Sequence, residues 1–347
     1  LMGLFEQQPD YFGLDIGSGG IRLVQLKRAG SKPVLLTYGH ATVPPGITTS
    51  DAPADVAKVA QAVKQLVKDA KVNTKYVVAG VPSSKVFASI ITTPKLSQHD
   101  LGKAIALQAD QYVPMAVKDV KLDWFVIGPG KTPQEQEVLL VAAPNAVTQK
   151  YVSLCDQAGL ELIALEPNAL ALTRATVTPG DLAVLVLDIG SMTSDITVVQ
   201  SNVPKLLRSV NIGGSTFVKA VAQNLGLDEV QADQFTRKFG LTQTKLEGQV
   251  FKSIKPSLDL LVGELEKSVK FFSSQYPDIK MEKIVLTGGT TALPELIPYL
   301  STAMGLSVEV ANAWTKVGYQ AQLQETLMGL STQYCVAVGL AERDMLT

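Results

Sequence analysis

A pattern that occurs twice constrains this chain more than any other. FGLDIGSGGIRLVQL spans residues 12–26 and LVLDIGSMTSDITVV spans residues 185–199. In each, an apolar run ends on an aspartate, Asp15 or Asp188, turns through glycine and serine, and resumes as apolar strand. That is the composition of a strand, a tight turn and a returning strand. The tip of such a hairpin offers backbone amides and hydroxyls that suit a phosphate chain. A carboxylate at its base suits Mg2+ or an oriented water. One hairpin of this kind is ordinary, whereas two, half a chain apart, point to a duplicated α/β lobe.

The first hairpin is not a P-loop, because no Gly-Lys-Ser/Thr follows at the required spacing. It is not a dinucleotide fingerprint either, because it returns as strand instead of opening a helix. Arg22 stands where a cation reaches phosphates, or equally where a strand residue faces solvent.

Periodicity organises the rest. Residues 34–43 and 76–81 read as strands, with Val56, Val59, Ala60, Val63, Leu66, Val67 and Ala70 at helical spacing between them. From Val86 the character changes. A strand at 86–92, a helix from the Ser97-x-x-Asp100 box to Tyr112, strands at 120–127 and 138–142, and a helix ending near Ala158 make a module of subdomain size. A strand at 162–165 leads through Glu166-Pro167 into a helix at 168–176. Glu166 either stabilises the positive end of that helix or faces a cleft and orients a water.

Beyond the second hairpin come a strand at 206–212 and Gly213-Gly214 ahead of a helix at 216–224, where bare backbone suits an anion. Helices at 228–239 and 251–276 follow, the longer one carrying Ile254, Leu258, Leu261, Leu265, Val269 and Phe272 on one face. IVLTGGTTALP, at 284–294, is strand, Gly-Gly turn and helix start, and that turn can lie flat against a base or sugar. A short strand at 308–310, a mobile-looking stretch to Ser331 and a helix at 334–342 end the chain. Leu4 and Phe5, in the polar lead-in, read as a frayed start, a strand cover or a docking tip.

Composition sets the outer bounds. With 347 residues, two lobes are expected. The 31 basic and 32 acidic residues nearly cancel, which argues against a general nucleic-acid surface. Cys155 and Cys335 lie in apolar periodic segments and read as reduced core thiols of a cytosolic protein. His40 and His99, far apart, build no metal cluster. No apolar run reaches membrane-spanning length and no signal-peptide layout opens the chain, so a soluble cytoplasmic protein is expected.

Taken together, the two hairpins and the Gly-Gly turn resemble the phosphate and adenosine motifs of the actin, heat-shock-chaperone and sugar-kinase superfamily. The layout resembles its FtsA and PilM branch. Within that branch, TPKLSQHDLGKAIALQADQYVPMAVKDVKLDW, at 93–124, is similar to the PilM pattern of helix, Tyr-Ile/Val-Pro stop, acidic residue and strand. The resemblance implies an α/β, actin-like two-lobed ATPase fold, with duplicated ribonuclease-H-like lobes and an FtsA-type insertion subdomain in lobe 1. Its boundaries would be 1–85 and 162–182 for the lobe 1 core, with a C-terminal helix in 332–347 packing back on it, and 86–161 for the insertion. Lobe 2 would have its core at 183–212 and 280–331 and a helical subdomain at 213–279.

The resemblance further implies ATP and Mg2+ as cofactors. Asp15 and Asp188 would hold the metal through water. Gly17, Ser18, Gly19, Gly20 and Arg22 would meet the terminal phosphates, as would Gly190, Ser191 and Thr193 from the second lobe. Gly213 and Gly214 would lie near the inner phosphates, Gly288, Gly289 and Thr290 near the adenosine, and Asp233 on the flanking helix. Glu166 matches a Glu-Pro position similar to the water-orienting carboxylate of MreB proteins, so Glu166, Asp188 and Asp15 are the catalytic candidates. Arg22 in place of the usual lysine, Met192 in place of a small turn residue and Thr236 in place of a lysine imply nucleotide binding with slow hydrolysis at most.

By the same resemblance the chain is a type IV pilus assembly adaptor at the cytoplasmic face of the inner or plasma membrane. Its groove between lobe 1 and the insertion would accept the cytoplasmic N-terminal peptide of a PilN-like inner-membrane protein. Other pilus platform proteins would join it, with no nucleic acid and with membrane association only through partners. An FtsA-like filament-forming ATPase is the alternative, disfavoured because residues 341–347 make no basic amphipathic tail. A small-molecule kinase is further off, since the insertion offers no acceptor pocket.

Overall fold

The computed structural model describes residues 9–30, 32–178, 180 and 183–345. Leu4 and Phe5 of the lead-in, and the last two residues of the expected C-terminal segment, lie outside the described residues.

In chain order the elements are β1 (Tyr11–Gly17), β2 (Gly20–Ala29), β3 (Lys32–Ala41), α1 (Pro53–Asp69), β4 (Tyr76–Val81), β5 (Phe87–Pro94), α2 (Gln98–Tyr112), β6 (Val120–Pro129), β7 (Glu135–Pro144), α3 (Asn145–Ala158), β8 (Glu161–Pro167) and α4 (Asn168–Thr176). Then follow β9 (Ala183–Ile189), β10 (Ser194–Gln200), β11 (Val203–Val210), α5 (Gly214–Leu225), α6 (Glu229–Phe239), α7 (Gln249–Gln275), β12 (Lys283–Thr287), α8 (Leu296–Met304), β13 (Ser307–Val310), α9 (Gln324–Leu330) and α10 (Cys335–Ala341).

Two five-stranded sheets follow one plan, β3-β2-β1-β4-β8 and β11-β10-β9-β12-β13. In both, the first three strands form an antiparallel meander. The last three run parallel. β1 and β9 are buried almost from end to end, as expected of strands covered on both faces, which read as continuous apolar runs. A third, antiparallel sheet, β5-β7-β6, packs Ile91, Val138 and Leu140 with Leu101 and Ile105 of α2.

By contact the chain forms two compact units. One comprises the chain up to Val81, Gln149–Ala175 and everything from Asn312 onward; the other comprises Pro82–Thr148 and Thr176–Ala311. The three-stranded module is therefore inserted in sequence between strands of the first sheet, yet it packs within the second unit. Two buried polar joints hold it there. Glu137 of β7 pairs with Lys205 of β11 and accepts a hydrogen bond from Tyr276 Oη at 2.8 Å. Asp195 of β10 faces Ser83, at the start of the module, and Ser209.

In the first unit, α10 is buried along its whole length and lies between the sheet and α4. A side chain at Gly13 of β1 would come within 2.6 Å of Ala341 N, and one at Gly339 within 2.5 Å of Ala171 C. The stretch before α10, expected to be mobile, is instead pinned. Trp314 is buried and donates from Nε1 to Leu327 O at 2.8 Å, and its ring packs edge-on against Tyr38 and tilted against Tyr334. Its polar Gln- and Thr-rich composition concealed those few anchors.

Glu342 follows α10, fully buried, and neither carboxylate oxygen accepts a hydrogen bond among the described residues. Burial pushes its pKa up from 4.5 to about 7, against the opposing pull of Lys316 and Arg174. The folded chain thus holds this proton more tightly than the unfolded chain does. The group's contribution to stability is complete below about pH 4.5 and is lost as pH rises through about 7, a loss of at most ~3 kcal/mol. Glu342→Gln, uncharged throughout, should flatten the dependence of the urea midpoint on pH across this window. An unchanged slope would show that another group sets it.

Candidate functional site

In the second unit the β9–β10 turn, Gly213-Gly214 and the Gly288-Gly289 turn converge. The β9–β10 turn closes with Gly190 N donating to Thr193 O at 3.0 Å. Gly190 O then accepts from Gly214 N at 2.9 Å and from Thr290 Oγ1 at 3.2 Å, and Ser191 O accepts from Ser215 N at 2.8 Å. The first amides of α5 therefore dock on the hairpin, where the sequence suggested that they approach an anion. Gly213 is bare because a Cβ there would meet Ser191 O at 2.6 Å. Thr290 is a strap between the third turn and the second, and Thr291 Oγ1 donates to Gly288 O at 2.7 Å.

This network leaves a defined set of groups for a ligand. The amides of Ser191 and Met192 and the hydroxyls of Ser191 and Thr193 have no hydrogen-bond partner among the described residues. Asp188 lies at the base, beside Thr287 of β12 and opposite Asp195 of β10. Gly288 makes room for its carboxylate: φ is +95°, and a Cβ would stand 2.5 Å from Asp188 Oδ1. Gly289 is open, with nothing near its missing side chain. Asp233 is separate from these groups, half-exposed on α6 and paired with Arg237 at 2.7 Å.

The first hairpin, in the other unit, has the same length. Gly17 pairs with Gly20 around Ser18-Gly19, and Asp15 stands opposite Arg22, as Asp188 stands opposite Asp195. The equal seven-residue offset was a usable signal for Asp195, which the sequence reading missed. Arg22 is neither solvent-facing nor free. Its Nη1 is 3.9 Å from Asp15 Oδ2 and its Nη2 donates to Gln333 Oε1 at 3.1 Å. No local signal could have found Gln333, which lies more than three hundred residues away in sequence. Burial pushes the Asp15 pKa up to about 6, with Arg22 pulling it down. At Asp195, burial also raises the pKa while hydrogen bonds from Ser209 and Ser83 lower it.

Asp15, Gly80 and Glu166 lie side by side across β1, β4 and β8. Glu166 is buried, with Oε1 2.5 Å from Arg174 Nη2 and Oε2 4.0 Å from Arg343 Nη1, while Arg174 Nη1 donates to Gly339 O. This geometry ties α4 to the segment around α10 through Glu166, a role that neither sequence reading named.

Among the described residues no three His, Cys, Asp or Glu side chains gather as a metal cluster. A single carboxylate beside bare amides instead suits a metal that arrives with its phosphates. Both thiols are buried, and burial pushes Cys155 up to about 12, as expected of core cysteines. No helix among the described residues is long and apolar enough to cross a membrane.

A family profile described as type IV pilus assembly protein PilM matches residues 13–345. Among solved structures, the PilM-PilN type IV pilus biogenesis complex is similar at 26% identity over 98% of this chain and 99% of that chain, with a TM-score of 0.85. The ethanolamine utilization protein EutJ from Carboxydothermus hydrogenoformans aligns over 99% and 91% at 15% identity, TM-score 0.57. MreB5 of Spiroplasma citri bound to ADP aligns over 96% and 95% at 12% identity, TM-score 0.53. The last two establish the actin-like fold.

Proposed function

The chain belongs to the family of type IV pilus assembly protein PilM, and on that premise we propose that it is a nucleotide-binding adaptor that docks the N-terminal peptide of a PilN-like membrane protein. The observation that carries this reading is the similarity to a PilM solved with PilN, which extends over the inserted module as well as both duplicated sheets. An adaptor needs a shape stabilised by its ligand more than it needs turnover, and a ligand biases a shape only through its differential affinity for it.

Mg2+-ATP is the proposed ligand. Ser191, Thr193 and the amides of their turn would receive phosphate oxygens, with Asp188 holding a water-bound Mg2+; the first hairpin offers Ser18, Gly19 and Asp15 as a set of the same kind. Bound Mg2+ would neutralise phosphate charge. With Glu166 paired to Arg174, hydrolysis is proposed to be slow.

Two measurements test the reading. Calorimetric titration with a synthetic PilN N-terminal peptide should give saturable binding; no binding, with or without ATP, would remove the pilus-adaptor reading. Asp188→Ala should weaken Mg2+-ATP by about tenfold or more, the scale of a lost charge-assisted contact. Unchanged affinity would place the nucleotide elsewhere.

A further inference from the structure

The β2–β3 hairpin outruns its sheet. β1 pairs with β2 from Gly20 to Gln25, whereas β2 and β3 remain paired out to Ala29 and Lys32. Among the described residues, the far end of the ribbon therefore pairs with no strand on the β1 side. It carries Lys27, Arg28 and Lys32, all exposed, and no residue from Lys27 to Ala41 is acidic. Aliphatic side chains lie beside these cations. Lys27 stands across from Val34, and Val34 and Leu36 are exposed, Leu36 at 46%.

The ribbon is also anchored and flanked. Leu35 N donates to Gly318 O and Gly318 N to Pro33 O, both at 2.8 Å, which fixes one edge. Thr37 Oγ1 donates to Ala70 O at 2.6 Å, and Gln25 Nε2 donates to Asn73 Oδ1 at 2.5 Å. Those bonds bring the end of α1, with exposed Lys68 and Lys71, alongside. None of these five cations makes an ion pair among the described residues. Of the carboxylates at this end of the sheet, Glu161 pairs with Lys75 at 2.9 Å, Asp69 accepts from Gln65 at 2.7 Å, and Asp10 is exposed. In a chain whose charges nearly cancel, this is a marked local excess of positive charge.

We propose that this overhanging ribbon is a contact surface for an anionic lipid bilayer. Lys27, Arg28, Lys32, Lys68 and Lys71 meet headgroup phosphates, and Val34 and Leu36 reach the boundary with the acyl chains. A projecting ribbon needs a concave surface if its partner is a rigid protein, whereas a bilayer closes around a convex tip with mobile headgroups. Aliphatic side chains set between the cations fit that interface, where apolar burial and attraction to anionic headgroups act together. The cationic part acts within about a Debye length, ~8 Å at physiological salt, so the contact is weak alone and strongly salt-dependent.

Sedimentation of the full chain with vesicles tests this. Vesicles of equal phosphatidylglycerol and phosphatidylcholine should retain the protein at low salt and release it at high salt, while pure phosphatidylcholine should not retain it. Lys27→Glu/Arg28→Glu/Lys32→Glu should weaken retention by about tenfold or more. Val34→Ser/Leu36→Ser, which leaves the charge intact, should weaken it several-fold. If the charge-reversed protein has an altered thermal midpoint, Lys27→Gln/Arg28→Gln/Lys32→Gln supplies the same comparison. The proposal is overturned if anionic vesicles retain nothing, if charge reversal has no effect, or if polyglutamate is bound while vesicles are not.

Discussion

Gly339→Ala should lower stability by about 3 kcal/mol or more and the thermal midpoint by roughly 4 °C or more. The added methyl would meet backbone on both sides of a hydrogen-bonded seam: its Cβ would stand 2.5 Å from Ala171 C, closer still to Ala171 O, and Gly339 O already accepts from Arg174. Backbone cannot rotate away as a side-chain tip can, so α10 would have to lift from α4 and carry Glu342 and its buried surroundings with it. Gly263→Ala, within α7 and facing open space, is the matched control. It should stabilise by about 0.5–1 kcal/mol, as an exposed helical glycine does on replacement. Urea denaturation of the two variants checks the pair, and equal effects would mean that the seam yields.

The second large effect concerns the turn that houses Asp188. Gly288→Ala places a side chain at φ +95°, with its Cβ against Ile189 O and 2.5 Å from Asp188 Oδ1. Strain and overlap together should cost about 2–4 kcal/mol. They should also displace the carboxylate proposed to hold the metal, with about a tenfold or greater loss of Mg2+-ATP affinity, the scale on which misplaced groups act. Gly289→Ala, one residue on and in open space, should bind as the unsubstituted chain does. Fluorescence titration with an ATP analogue separates the two. Equal binding by both would remove the turn cluster from the nucleotide site.

Much of the fold was legible because the same local signal appeared twice. An apolar strand stopped by Asp-x-Gly-Ser predicts its own turn, and the sheets around β1 and β9 repeat one strand order. The actin-like architecture and the membership in the PilM family agree with what those motifs implied. What escaped the sequence was pairing over long separations. Arg22 carries no mark of its bond to Gln333, and Gly214-Ser215 reads the same whether its amides wait for phosphate or dock on Gly190 and Ser191. The segment before α10 hid behind polar residues, since its buried Ala313, Trp314, Val317 and Leu327 are scattered among them without a helical or strand period. The allegiance of the inserted module depends on Glu137, Lys205 and Tyr276, each unremarkable in its own window.

That allegiance bears on how the module can be exchanged between relatives. Transplanting residues 82–148 alone would leave Lys205, a largely shielded cation, facing whatever the donor carries at position 137. Removing one member of a buried pair typically costs about 3–5 kcal/mol, more than most grafts tolerate. A chimera that carries Lys205 and Tyr276 together with the module should fold, whereas one cut at the module's sequence ends should not. The natural seam for exchanging the module therefore runs through β11 and the end of α7.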